Sequence, residues 1–211
     1  PFAAPGHGGA ERDTGDGRTD LIQIKNSAGK LGLTVYRSTG TGFQKLWGSE
    51  NMGQGSAAME WLVADVTGDG RSDLIQTWNN NGKLGLLVYR STGVGLETAW
   101  GSGDMGQSSA ALAWLAGDVT GDGRADLVQP WNNGGNLGLV VYRSTGNGFE
   151  KAWGTSNTGK TASALALRSG DIDGDGKMDL IQPYDSSGKL GFITYRSNGT
   201  GLAYHWGSTD T

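Results

Sequence analysis

A single period governs this chain. The tetrapeptide Gly-Asp-Gly-Arg, or Gly-Asp-Gly-Lys in its last copy, occurs four times with its aspartate at Asp16, Asp69, Asp122 and Asp175, and every interval is 53 residues. Tyr36, Tyr89, Tyr142 and Tyr195, each followed by Arg and Ser, keep the same step, as do Trp47, Trp100, Trp153 and Trp206, each followed by Gly. Near-copies that fill 211 residues must stack as like units that bury one another's faces. The repeats run approximately over 6–53, 54–106, 107–159 and 160–211, within one repeat domain over 1–211.

The second copy shows what one unit is. Residues 59–64 form a short apolar run, and 65–73 a polar, glycine-containing loop. Over 73–78, Leu74, Gln76 and Trp78 oppose Ile75 and Thr77, the alternation of a strand. Asn79-Asn80-Asn81-Gly82-Lys83 is a hairpin turn, since Asn and Gly tolerate positive φ; a β-branched and aromatic strand follows over 84–90, and a last short one over 96–100. Four strands per repeat of this length predict an all-β fold, a β-propeller of four four-stranded blades. A sandwich of unlike strands has no need for copies this alike. In the first copy, Gly8, Gly9 and Ala10 stand where the second has Trp61, Leu62 and Val63, so its innermost strand is expected to be missing and the first blade incomplete. Closure of the ring by the chain ends (Pro1 to Ala4), by a second chain as in a homo-oligomer, or by a longer array all remain open.

Glycine, 39 of 211 residues, stands at about 18% against a usual ~7%, which demands many tight turns. Eight tryptophans and the strict period oppose a disordered reading. With no cysteine, neither disulfides nor thiolate metal sites are available. No apolar run approaches the roughly 18 residues of a membrane span, and the start at Pro1 suggests a signal peptide absent or removed.

The polar loops have the spacing of a cation site. Asp171, Asp173, Asp175 and Asp179 occupy loop positions 1, 3, 5 and 9, with Gly176 at 6 and the Lys177 carbonyl at 7. Calcium takes six to eight hard oxygens, and a tightly curled loop turns alternate residues inward. The second and third copies keep Asp65, Asp69 and Asp73, and Asp118, Asp122 and Asp126, with Thr67 and Thr120 at position 3 and Arg71 and Arg124 at position 7. Losing one carboxylate predicts weaker calcium binding there. The first copy has Arg12 at position 1, Asp13 displaced to position 2, and Asp16 and Asp20 retained; a guanidinium cannot ligate a cation, so this loop is expected to be weak or empty. The loop aspartates are more than half of the 21 acidic residues, so the net charge of −4 belongs to these sites. The bases are scattered, which gives no stripe for nucleic acid.

Trp78-Asn79-Asn80, Trp131-Asn132-Asn133 and Tyr184-Asp185 set an aromatic plate beside polar side chains at a hairpin rim. Sugars are held by that pairing, although each ring packing in the blade and each Asn making only its turn explains the residues equally well. Catalysis is not expected: His7 and His205 lie outside any recognisable constellation, and choosing among Glu60, Glu97 and Glu150 would be arbitrary.

The run Asp-Val-Thr-Gly-Asp-Gly-Arg-x-Asp-Leu within a blade-length repeat resembles the FG-GAP or VCBS-type repeats of integrin-like propellers. That resemblance spans the whole chain and implies calcium loops on a secreted or cell-surface module. It implies an adhesion surface, a lectin or an accessory module of a secreted enzyme. Two expectations follow: a multivalent, non-catalytic binder of glycans or cell-surface carbohydrate, or a calcium-stabilised scaffold that binds protein within a larger secreted chain. Four copies, rather than the seven or so of better-known members, depart from the pattern.

Overall fold

The computed structural model describes residues 14–53, 58–106, 111–160 and 166–208. Every regular element among them is a β-strand, in four antiparallel sheets, one for each sequence repeat. Among the described residues no helix is long and apolar enough to cross a membrane. The first sheet contains β1 (Leu21–Ser27), β2 (Lys30–Ser38) and β3 (Phe43–Ser49). The second contains β4 (Ala58–Ala64), β5 (Asp73–Asn80), β6 (Lys83–Ser91) and β7 (Leu96–Ser102). The third contains β8 (Leu115–Gly117), β9 (Asp126–Asn133), β10 (Asn136–Ser144) and β11 (Phe149–Lys160). The fourth contains β12 (Arg168–Gly170), β13 (Asp179–Ser186), β14 (Lys189–Ser197) and β15 (Leu202–Ser208). Each sheet is a simple meander in chain order. Pro1 to Ala4, Gly8, Gly9 and Ala10, on which the expectations about the first strand and ring closure rest, lie outside the described residues.

The meander follows from turn chemistry. The central hairpin of each sheet is a two-residue turn with both φ values positive, as in Asn81 (53°) and Gly82 (87°), the type I′ geometry that matches strand twist. It fixes the register, with Asn80 opposite Lys83 and Trp78 opposite Gly85.

The chain divides into two compact units, residues 1–109 with 145–148, and residues 110–144 with 149–211. In the first unit the core joins Ile22, Leu31, Leu33 and Val35 to Leu74, Tyr89 and Leu96. In the second, Leu137, Leu139 and Val141 pack with Leu180, Tyr195 and Leu202. Full burial of each such side chain stabilises by about 1.5–3 kcal/mol.

Strand β5 departs from its expected alternation, because residues 73–77 are buried without a break. Its polar members tolerate this because they are hydrogen-bonded inside. The Tyr89 hydroxyl donates to Gln76 Oε1 at 3.1 Å, and the pair recurs as Tyr142 to Gln129 (2.9 Å), Tyr195 to Gln182 (3.0 Å) and Tyr36 to Gln23 (3.3 Å). A buried polar pair that satisfies itself removes the desolvation cost that would otherwise force one face outward.

The tryptophans that precede glycine make a second recurring contact. In the first unit Trp47 lies over Gly95, where a Cβ would fall 2.5 Å from the indole, and Trp100 lies over Gly148, where it would fall 2.1 Å away. In the second unit Trp153 covers Gly201, with 2.3 Å for a Cβ. Each tryptophan therefore covers the Thr-Gly-x-Gly or Asn-Gly-x-Gly turn of the following copy. Gly95→Ala would force a methyl group into the Trp47 ring and is expected to cost about 1–3 kcal/mol, read as a lower urea midpoint. In a Trp47→Ala background the same change should cost much less, a coupling that a double-mutant cycle measures.

Candidate functional site

In every copy the position-9 aspartate of the acidic loop is buried: Asp20, Asp73 and Asp126 at 0% exposure and Asp179 at 1%. Asp73 Oδ2 accepts from the Val66 and Thr67 amides at 3.0 and 3.1 Å, while Oδ1 accepts from the Ser91 amide at 2.8 Å. Asp126 repeats this with Val119, Thr120 and Ser144. Asp179 takes the Ile172 and Ser197 amides, and Asp20 those of Thr14 and Ser38. One carboxylate thus pins its loop to the end of the long central strand. Burial is the main force pushing the Asp73 carboxyl up, to about 6, with the charge of Asp65 adding to it and the three amides pulling the other way. Asp126 is raised by the same cause.

The position-1 aspartate organises the loop. Asp65 Oδ1 accepts from the Gly68 and Asp69 amides at 2.6 and 3.2 Å, and Oδ2 from Gly70 at 2.7 Å. Asp118 and Asp171 act alike on their glycine amides. Position-3 Thr67 and Thr120 donate their hydroxyls to Asp65 and Asp118 at 3.4 Å.

The position-5 aspartates face the basic side chain two residues on. Asp69 pairs with Arg71, Asp122 with Arg124 at 2.5 Å and Asp175 with Lys177 at 2.6 Å. The Lys177 ammonium and amide hold the Asp175 carboxyl below its ordinary range. In the first copy Asp16 accepts from the Arg18 amide at 2.9 Å, and Arg12 and Asp13 lie outside the described residues.

Asp171, Asp173 and Asp179 come together, with one carboxylate oxygen from each within 4.8 Å of the others. Asp175 stands apart, on Lys177. Three hard anionic oxygens at that separation repel one another and fit a divalent cation of the oxygen-seeking class. In the structure Arg196 pairs with one of them, Asp173. The equivalent arginines do otherwise: Arg90 pairs with Glu97 and Arg143 with Glu150, their cross-strand neighbours, whereas Arg196 faces Ala203. Two changes are therefore coupled in the fourth copy, Asp for Thr at position 3 and Ala for Glu across the strand. The sequence carried this signal in the 53-residue step from Glu97 and Glu150 to Ala203, which sequence reading missed.

The hairpin rims hold the aromatic candidates. The half-buried rings of Trp78, Trp131 and Tyr184 cover Gly85, Gly138 and Gly191, where a Cβ would lie 2.1, 2.3 and 2.5 Å away. In the first copy the stem of Lys25 covers Gly32 instead. Asn79, Asn132 and Asp185 accept from the amides of Gly82, Gly135 and Gly188 at 2.6–2.7 Å and so make their turns. Asn80 and Asn133 donate to the Gly103 and Ser156 carbonyls. His205 and Glu60, Glu97 and Glu150 are exposed, and His7 lies outside the described residues.

A family model, the FG-GAP-like repeat, matches residues 14–76 and again 65–129. No curated protein matches the chain. Among solved structures, the exotype rhamnogalacturonan lyase YesX is similar with a TM-score of 0.54 and 16% identity, over 99% of this chain and 50% of that one. A rhamnogalacturonan lyase of Bacillus licheniformis gives 0.55 and 15%, again over 99% and 50%. The chain spans half the length of each, and at these identities the likeness is one of fold.

Replacing Asp73 by Asn sets an amide NH2 against backbone donors. In chelator, Asp73→Asn is expected to lose about 1–3 kcal/mol in denaturant unfolding, and Asp69→Asn, which breaks only an exposed pair, under about 1 kcal/mol.

Proposed function

The chain belongs to the FG-GAP-like repeat family, and on that premise we propose that it is a calcium-stabilised, four-bladed propeller module that recognises carbohydrate without catalysis, outside the cell. The observation that carries the recognition half is the repetition of one partly open aromatic ring, Trp78, Trp131 or Tyr184, at one hairpin position of three sheets. A ring held over a glycine presents its remaining surface to a sugar face, and several equivalent weak sites on one chain add by avidity. The likeness in fold to two lyases that act on rhamnogalacturonan supports pectic oligosaccharides as the first ligands to try. A protein-binding scaffold is the competing reading; it rests on the commitment of Asn79 and Asn132 to their turns, which leaves fewer polar groups for hydroxyls.

Calcium supplies positive charge and a high coordination number to the loops. Asp171, Asp173 and Asp179 would hold it in the fourth copy. Asp65 and Asp73 with Thr67, and Asp118 and Asp126 with Thr120, would hold it more weakly, because a neutral hydroxyl stands where the fourth copy has the Asp173 carboxylate.

Calcium should raise the melting temperature, since binding to the folded state alone adds about 2.7 kcal/mol per site at a hundredfold excess over Kd. Ala203→Glu gives Arg196 the cross-strand partner its counterparts have and frees Asp173; calorimetric titration should then find tighter calcium at one site. The Asp73 carboxyl titrates near 6 in the folded chain, above its ordinary value, so protons compete with a cation there as pH falls through 6. The calcium-induced melting shift should accordingly shrink from pH 7 to pH 5. For the ligand, an array that includes pectic oligosaccharides should give signal lost in Trp78→Ala/Trp131→Ala at unchanged fold. A blank array with an intact calcium shift leaves the scaffold reading in its place.

A further inference from the structure

Successive acidic loops of this chain touch each other. Within the second unit, positions 7 and 8 of the fourth loop lie against the third loop. The stem of Lys177 passes 3.2 Å from a Cβ built on Gly121, and the Met178 amide donates to the Asp118 carbonyl at 2.6 Å. The Ser197 hydroxyl donates to the Val119 carbonyl at 2.5 Å, and Ser197 is the residue whose amide Asp179 holds. The placement recurs in the first unit, where the Arg71 stem lies 3.3 Å from a Cβ on Gly15 while its guanidinium pairs with Asp69. The basic residue at position 7 therefore lies between its own loop and the one before. Lys177 thus faces acids of both. Its ammonium donates to Asp175 at 2.6 Å, and the carboxylates whose charges act on it are Asp175, Asp179 and, from the third loop, Asp118.

We propose that Lys177 is a counter-cation shared by the third and fourth loops, so that calcium held in the fourth loop weakens calcium binding in the third. The inference rests on the calcium reading of both loops and concerns the order in which they fill. Calcium takes six to eight oxygens, more than one each from Asp171, Asp173 and Asp179, so filling the fourth loop draws on Asp175 at position 5. Lys177 then loses its partner. With Asp179 committed as well, Asp118 is the one of its three carboxylates still open to it. The stem already lies on the third loop at Gly121, so the change of partner asks for rotation at the end of one side chain and no movement of the strands. An ammonium at Asp118 opposes a divalent cation there by charge and by claiming a carboxylate oxygen. Coupling of two binding sites is reciprocal, so calcium in the third loop holds Lys177 on Asp175 and weakens the fourth by the same factor. The backbone bonds from Met178 and Ser197 keep the two loops side by side while this happens.

Amide NMR of the 211-residue chain titrated with calcium chloride reads the loops separately, since the Gly121 and Gly123 amides bond Asp118 and those of Gly174 and Gly176 bond Asp171. In the parent the fourth loop is expected to fill first and the third at higher calcium. Lys177→Met should lower the calcium needed to half-fill the third loop by about fivefold or more, the scale of coupling between linked sites. Lys177→Arg, which keeps the charge, should stay near the parent. Asp173→Lys sets an ammonium among the fourth-loop carboxylates and keeps a cation out; adding Lys177→Met to it should move the third loop much less, because Lys177 there still has Asp175. A third-loop midpoint that Lys177→Met leaves unchanged, or lowers equally with and without Asp173→Lys, overturns the coupling while calcium binding stands. Glycine amides that calcium shifts in neither loop overturn the calcium reading, and the inference with it.

Discussion

The buried aspartate at the end of each acidic loop is the interaction on which the repeat depends. Asp20, Asp73, Asp126 and Asp179 are all fully enclosed, and each joins the loop before its strand to the serine that ends the long central strand, Ser38, Ser91, Ser144 or Ser197. These serines are 18 residues away in sequence, so a single carboxylate closes a hairpin that its own turn begins. A charge so enclosed is tolerable only because backbone donors surround it. Its presence in the first copy, where Arg12 replaces the position-1 ligand, separates it from a full ligand set: the strut is kept where that ligand is lost.

That separation clarifies the loop chemistry. A DxDGDG-type spacing predicts an inward ring of carboxylates, and the spacing alone treats positions 1, 3, 5 and 9 as equals. The structure assigns them different work. Position 9 is a strut, position 1 gathers glycine amides, and position 5 is neutralised by Arg71, Arg124 or Lys177 in the same loop. Among the described residues only the fourth copy, with aspartate at position 3, collects three carboxylates, and there Arg196 pairs with Asp173. Binding strength in such loops rises with charge count, and so does the cost of leaving the charge alone.

Much of the fold was legible because the period of 53 exposes it: strand order, a hairpin turn within Asn79–Lys83, which the structure narrows to Asn81-Gly82, and all-β repeats follow from apolar runs and turn residues. What stayed hidden were contacts between residues distant in sequence. The alternation places Gln76 beside Leu74 and Trp78 but does not show that the Tyr89 hydroxyl meets it, and the period marks Trp47 but does not show Gly95 beneath it. Periodicity within a strand reports polarity, and burial depends on whether a polar group has a partner, which a local pattern does not encode. Trp78, Asn79 and Asn80 illustrate the same limit: the motif locates the rim, but the turn and the Gly103 carbonyl claim the amides.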